Sequence, residues 1–299
     1  MTGPGAIAAC RAHLFAPGSN ERVIAKVFDA GADAVVLDLE DAVAPAAKAD
    51  ARRLVAAAIA ARAGRTRPVT AVRINGVDTA WWQDDLDAVV IPGVRLIRVP
   101  KAESAEQLRW VDARVSELEA GRGLAPGAIG LVATIESAVG VLAAGEIARA
   151  PRVKGFTFGA ADFVRDIHAD PGSDLATLHA RQHLVLISRA CGLDAPVASV
   201  YTQVRDLEGL RRSTEEARAL GFFGRSCIHP SQVPVVQEVF TPPADVVAAA
   251  RAVVDAWDEA LGRGVAAFTL PDGQFVDEAV ARRARGVVAL AAALEETSS

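Results

Sequence analysis

Short apolar runs rich in β-branched residues alternate along the chain with longer Ala/Glu/Arg stretches of helical period. The runs predict strands at 13–15, 34–38, 69–74, 96–99, 129–135, 155–159, 195–200 and 223–228. Most are apolar throughout rather than alternating, the pattern of strands covered on both faces in a parallel sheet. The stretches between them predict helices over 20–30, 45–63, 79–90, 104–121, 139–148, 175–191, 206–220 and 231–240. Ser104 followed three positions later by Gln107 has the form of a capping box. Gly31, Gly64, Gly192 and Gly221 stand just past helical stretches, where a left-handed stop favours glycine. Eight strand–helix units predict an α/β fold of the (β/α)8 TIM-barrel type. An open doubly wound sheet is the alternative, but its GxGxxG turn is missing and Gly121-Arg122-Gly123 is wrongly placed for one. After residue 240, Pro242-Pro243 opens a different pattern: an amphipathic helix at 244–261, a strand-like piece at 267–270 and a last helix at 277–295. The expected organisation is therefore a barrel domain over 1–240 and a C-terminal helical extension over 241–299, packed on the barrel or on a neighbouring subunit.

Composition narrows the classes. The 299 residues bury a core without disulfides or a structural metal. A net charge of −5 and the absence of a basic stripe argue against nucleic-acid binding. Cys10, Cys191 and Cys227 are far apart and form no CxxC, which excludes zinc ribbons and thioredoxin-type redox sites and fits a reducing compartment. No apolar run approaches the length of a membrane span. Ile7-Ala8-Ala9-Cys10 has the outline of a lipoprotein cleavage box but lacks the basic and apolar regions before it, so a cytoplasmic location is expected.

Barrel enzymes place their chemistry where strands end and loops begin. Here strand two ends Asp38-Leu39-Glu40-Asp41, strand three Arg73-Ile74-Asn75, strand four Pro100-Lys101, strand five Glu136-Ser137 and strand six Gly159-Ala160-Ala161-Asp162. Carboxylates and an arginine converging on one rim outline a site for a hard divalent cation held by oxygen. Each acid taken singly also reads as a cap on the helix that follows. Arg73 reads either as an ion-pair partner or as a bidentate clamp for a substrate carboxylate. Other chemistries lack their signatures. His179 and His183 lie four apart without the glutamate of HExxH, Ser226 sits in no GxSxG elbow, and no GxxxxGK[ST] loop is present. His229 reads as shaping its loop, and Trp81-Trp82 as core or interface.

The motifs RAHLFAPGSN from Arg11, LDLEDAV from Leu37 with Lys48, VRIN from Val72, Pro100-Lys101, IESAVG from Ile135, FGAAD from Phe158 and GFFGRSCIHP from Gly221 occur in that order. Together they resemble the citrate lyase β-subunit-like family of the HpcH/HpaI aldolase superfamily, nearest to its malyl-CoA and citramalyl-CoA lyases. The resemblance implies a Mg²⁺-dependent barrel, trimeric or hexameric, that makes or breaks a carbon–carbon bond beside a thioester. It implies a CoA thioester and a small 2-oxo acid as ligands. By motif, Glu136 and Asp162 would hold the metal, Glu40 and Asp41 would orient water, and Arg73 would bind the acid. Phe15, Lys26 and Arg11 would contact the substrate, Phe15 and Lys26 along the CoA path. The 268–277 segment resembles the C-terminal part of the acyl-CoA lyases, in which an aspartate enters a neighbouring subunit's site; Asp277 takes that place. Its presence favours free CoA over a carrier-protein thioester. Thioester hydrolysis of the same adduct, or service as a citrate lyase β-like subunit beside a carrier-protein partner, are the alternatives.

Overall fold

The computed structural model describes residues 9–298, so Ile7 and Ala8 of the short N-terminal apolar run lie outside the described residues. Seven strands form one parallel sheet: β1 (Ala12–Pro17), β2 (Ala34–Asp38), β3 (Val69–Arg73), β4 (Leu96–Val99), β5 (Gly130–Ile135), β6 (Val153–Phe158) and β7 (Arg225–Cys227). Their order is β6-β5-β4-β3-β2-β1-β7. The predicted strand at 195–200 makes no ladder. It bridges the two ends of the sheet through single residues instead, Thr157 to Val197 on one side and Ala198 to Arg225 on the other. Pro196 gives the physical reason, since it has no N–H to contribute to a ladder. Val197 still exchanges hydrogen bonds with β6 (2.8 and 3.1 Å) and Ala198 with the Gly224–Ser226 stretch (2.9 and 3.0 Å). The ring of the TIM-barrel-like fold is completed this way.

The helices outside are α1 (Glu21–Val27), α2 (Lys48–Ala60), α3 (Trp82–Val89), α4 (Ala105–Gly121), α5 (Ala138–Ile147), α6 (Ala160–Asp166), α7 (Asp174–Ala190), α8 (Leu207–Leu220) and α9 (Gln232–Phe240). The Ser104–Gln107 capping box forms as expected. Gly31, Gly64, Gly192 and Gly221 all take positive φ. The seven-residue α6 was not anticipated, because it is too short to show a helical period.

Two apolar clusters explain the continuously apolar strands. Leu14, Leu37, Val72, Ile97 and Leu131 face the helices. Ala34, Val36, Ala71, Leu96, Val132 and Val197 pack with Phe15 inside the ring. Successive strand residues thus alternate between two dry environments.

The chain divides into two compact units at Phe240/Thr241. In the second, α10 (Ala244–Gly262) and α11 (Glu278–Ser298) pack around Ala250, Val253, Trp257, Ala281 and Ala284. A two-stranded hairpin, β8 (Phe268–Thr269) and β9 (Phe275–Val276), lies between them in sequence. Only its first strand was expected; Pro271-Asp272-Gly273 is the turn signal for the second, with Gly273 at φ 89. Among the described residues no helix is long and apolar enough to cross a membrane.

Candidate active site at the barrel mouth

Asp38 closes β2 and is registered against Arg73, the last residue of β3. Its carboxylate accepts the Glu40 N–H (3.0 Å) and the Ala42 N–H (3.1 Å), curling the loop after the strand. It also accepts both the Nε–H and an Nη2–H of Arg73 at 2.7 Å, a bidentate pair. The remaining Nη1 of Arg73 lies 3.0 Å from Glu40 Oε2 and 3.6 Å from Asp41 Oδ2.

Lys101 follows β4 with φ +50, a left-handed backbone that a side-chain-bearing residue adopts at a cost. This geometry lets one residue serve two acids. Its N–H donates to Glu136 Oε1 (2.7 Å), and its Nζ stands 3.1 Å from Glu40 Oε1. Glu136 itself follows β5, and Gly159 follows β6. A Cβ on Gly159 would come within 2.5 Å of Glu136 Cβ and Oε2, so glycine is required for the glutamate to lie there. Asp162 sits in the first turn of α6, 2.7 Å from Arg165 Nη2. Lys101, Glu136, Ser137, Asp162 and Arg165 line a cavity of about 460 Å³. Glu40, Asp41, Asn75 and Trp81 line another of about 240 Å³, and Lys101 borders both.

Burial dominates the electrostatics. It raises the Glu136 carboxyl to about 7, with Glu40 and Asp162 adding to the rise while the Lys101 N–H and Arg73 oppose it. Glu40, 5% exposed, is likewise raised by burial, against the pull of Arg73 and Lys101. For Arg73 burial alone would lower the guanidinium, but Asp38, Glu40 and Asp41 outweigh it and raise it.

A buried network fixes the Glu40 loop from behind. Lys48 Nζ donates to the carbonyls of Leu39 (2.7 Å) and Glu40 (2.8 Å), and Asn75 Nδ2 donates to Leu39 O (3.0 Å). Asn75 is held by Asp85, 0% exposed, which accepts from Asn75 N (2.8 Å), Asn75 Nδ2 (2.6 Å) and Arg52 Nε (2.7 Å). Below the mouth, Phe15 has the guanidinium carbons of Arg73 and Arg98 each 5.3 Å from its ring centre. Arg98 is fully buried and reaches His13 Nδ1 (2.8 Å), whose Nε2 faces Cys10 O (3.1 Å). Nε2 therefore carries the proton and Nδ1 accepts.

Glu40, Asp41, Arg73, Glu136 and Asp162 thus stand at one rim, with Phe15 below them, whereas Arg11 and Lys26 lie away from it. Arg11 precedes β1 and pairs with Asp33, which precedes β2, through Nη2–Oδ1 at 2.8 Å. At about 3.3 Å per residue that places it roughly 20 Å below the mouth, at the opposite end of the strands. Its expected substrate contact is corrected to a structural pairing. Lys26 is exposed in the last turn of α1, and its side chain makes no hydrogen bond or ion pair among the described residues. Asp277 belongs to the second unit, where Oδ1 accepts the Val280 N–H (2.9 Å) at the start of α11. The sequence places Asp38 and Lys101 at strand ends but not their partners, and it assigns no role to Lys48 or Asp85. The register of β2 on β3 is the signal that would have paired Asp38 with Arg73.

The donor set suits a hard dication. The cavity lining is rich in carboxylates, Glu136, Asp162, Asp166, Glu103 and Asp78, with one histidine, His168, and no thiol, and buried Glu40 beside it meets only the cations of Arg73 (3.0 Å) and Lys101 (3.1 Å). Among the described residues no three His, Cys, Asp or Glu side chains form a closed cage. Mg²⁺ does not need one, because it is usually held by one or two carboxylates plus water and ligand oxygens.

Fold and rim define the class: a parallel α/β barrel with a carboxylate-rich mouth suited to a hard cation. Residues 11–230 match the HpcH/HpaI aldolase/citrate lyase family model, and the chain belongs to that family. It is 37% identical to the citrate lyase subunit beta of Leuconostoc mesenteroides subsp. cremoris, over 94% of this chain and 93% of that one. It is also 37% identical to a (3S)-malyl-CoA thioesterase of Cereibacter sphaeroides, over 95% of each. Among solved structures, a CitE protein from Mycobacterium tuberculosis in complex with magnesium, acetoacetate and coenzyme A is 32% identical with a TM-score of 0.76, covering 95% of this chain and 99% of that one. The match to citrate lyase subunit beta covers too much of the chain to stop at residue 240. The tail therefore does not separate free-CoA enzymes from citrate lyase β subunits, contrary to the expectation drawn from it.

Proposed function

We propose that this protein is a Mg²⁺-dependent carbon–carbon lyase that cleaves a β-hydroxyacyl-CoA such as malyl-CoA or citramalyl-CoA to acetyl-CoA and a 2-oxo acid. The observation that carries the reading is the pairing of Glu136 and Asp162 on one cavity, with Lys101 on its border reaching buried Glu40 at 3.1 Å. Glu136 and Asp162 are the residues that would hold the ion, and when bound it would supply Lewis-acid polarisation of the acid's oxygens. Arg73 Nη1, the one arm not committed to Asp38, would exchange Glu40 for the substrate carboxylate. Glu40 and Asp41 would orient water and hold the hydroxyl proton lost on cleavage. Phe15 would wall the acyl path. Asp277 would protonate the departing thioester enolate at carbon, supplied from a neighbouring copy of a homotrimer or hexamer. CoA as the thioester carrier is supported by the CoA-bound relative, which matches 95% of this chain.

Hydrolysis of the same adduct is the second reading, favoured by the malyl-CoA thioesterase relative. A β subunit acting on a carrier-protein thioester is the third, favoured by the citrate lyase relatives. One experiment separates them. The purified protein is incubated with malyl-CoA and with citramalyl-CoA, with Mg²⁺ or with chelator, and products are followed by mass spectrometry. The lyase gives acetyl-CoA with glyoxylate or pyruvate, the thioesterase gives free CoA with malate or citramalate, and a carrier-dependent subunit gives neither. Turnover that survives the chelator would overturn the metal assignment.

A further inference from the structure

On the helix-facing side of the barrel wall, α7, α8 and the 195–200 segment enclose a cavity of about 540 Å³, within the usual range for small-molecule sites. We propose that it is a second binding site, taking a small organic oxyanion with a carboxylate or phosphate group. The cavity belongs to the outer layer, since Phe158 and Ala198 in its lining pack in the core beneath the helices.

The choice of ligand follows from which donors are left over. Arg225, 4% exposed, donates from Nη1 to Ser199 O (2.9 Å) and from Nη2 to Ser213 O (2.9 Å) and Oγ (3.0 Å). It has no carboxylate within ion-pairing reach among the described residues, and its Nε has no partner. Arg181 pairs through Nη2 with Glu216 (2.8 Å) yet also leaves a buried Nε unpartnered. Arg212 is exposed on the same lining and makes no ion pair among the described residues. Three of the neutral donors nearby are spent: Tyr201 Oη on Asp206 (2.7 Å), Thr177 Oγ1 on Asp174 O (3.1 Å) and Ser199 Oγ on Phe158 O (2.5 Å). A buried guanidinium without a counter-charge is expensive, and planar oxyanions are the partners guanidinium groups select. The two acids on the lining, Asp174 and Glu216, are both directed at Arg181, which leaves Arg212 and Arg225 without an ion pair among the described residues.

The site stands apart from the lyase reading, and its test uses binding alone. Metal-free, full-length protein is titrated calorimetrically with inorganic phosphate and separately with succinate, at constant ionic strength. We expect saturable one-to-one binding of at least one anion, unchanged in Arg73→Met, which alters the mouth instead. Binding should weaken about tenfold or more in Arg225→Met and in Arg212→Glu, the loss expected for removing or reversing a charge-assisted contact. Arg212 is on the surface, so its variant decides the matter where Arg225→Met does not fold. Preference for phosphate assigns a phosphate ester, and preference for succinate a carboxylate. No saturation by either anion up to about 50 mM, or undiminished binding by Arg212→Glu, would overturn the site.

Discussion

Gly159→Ala tests whether the Glu136 carboxylate must lie where it does, without touching its charge. The added Cβ would stand 2.5 Å from Glu136 Cβ and Oε2, about an ångström inside ordinary carbon contact. Glu136 has little room to retreat. Its backbone leaves the end of β5, and its other oxygen is held by the Lys101 N–H at 2.7 Å. Either the carboxylate swings off its rotamer, or the first turn of α6 with Asp162 moves away. Overpacking of this kind costs about 1–3 kcal/mol of stability. Displacing a metal ligand from its supported position typically weakens metal binding about 10–100-fold, which is about 1.4–2.8 kcal/mol. Mg²⁺ affinity is read by calorimetry and stability by urea unfolding, with Glu136→Gln as the variant that keeps the shape and removes the charge. We expect Gly159→Ala to approach Glu136→Gln in metal affinity while remaining folded. Metal binding within about twofold of the parent would refute the claim that Glu136 lies against Gly159 to hold an ion.

Three further outcomes follow from the same geometry. Asp277→Asn should leave stability and metal binding intact, because asparagine caps a helix as well as aspartate does, yet turnover should fall about 100-fold or more; unchanged turnover refutes its acid/base role. Asp85→Asn strips the carboxylate from Arg52 and turns an amide against Asn75 Nδ2, and the remaining contact of Arg52 with Asp84 (3.2 Å) holds the loss to about 3 kcal/mol in urea unfolding. A loss under about 1 kcal/mol would mean that the network does not anchor the Glu40 loop. His13 is fully buried, and burial followed by the Arg98 charge lowers its pKa well below 6.5. Below pH 6.5 the unfolded chain takes up a proton that the native imidazole refuses, so this group's contribution is flat above that pH and falls as pH drops beneath it. The slope is about 1.4 kcal/mol per pH unit, and His13→Gln, which can still donate to Cys10 O and accept from Arg98, should remove that part of the slope; equal slopes in urea midpoints between pH 7 and 5.5 would contradict it.

The barrel was legible because strands dry on both faces read as unbroken apolar runs, and seven of the eight expected runs became ladder strands. The remaining run fails to form a ladder at Pro196, which has no N–H to donate. Residues at strand ends were also legible, since direction along a parallel strand fixes which rim a position occupies. That same rule, applied to Arg11, would have sent it to the far rim, but a motif match outweighed it. The partners of Lys101, itself at a strand end, and the role of Asp85 were not legible for a different reason. Their roles depend on side-chain reach between elements, Lys101 from β4 to Glu40 and Glu136, Asp85 from α3 to Asn75, which no periodicity encodes.

The left-handed backbone at Lys101 ties these observations together. A lysine at φ +50 costs on the order of 1–2 kcal/mol relative to an ordinary conformation, so something must hold it there. Two contacts do, the N–H to Glu136 and the ammonium beside Glu40. Neither acid is stabilised by them enough to overcome its burial, for both remain raised above the ordinary glutamate value. The mouth therefore combines a strained residue with two carboxylates that are still short of positive charge, next to an arginine whose spare arm points at one of them. A fold selected for stability alone would relax each of these, with glycine at 101 or a neutral residue at 136. Their joint presence on one rim fits the ligand proposed above, which would bring both a cation for Glu136 and an anion for Arg73, as a metal-dependent reaction of an oxo or hydroxy acid requires.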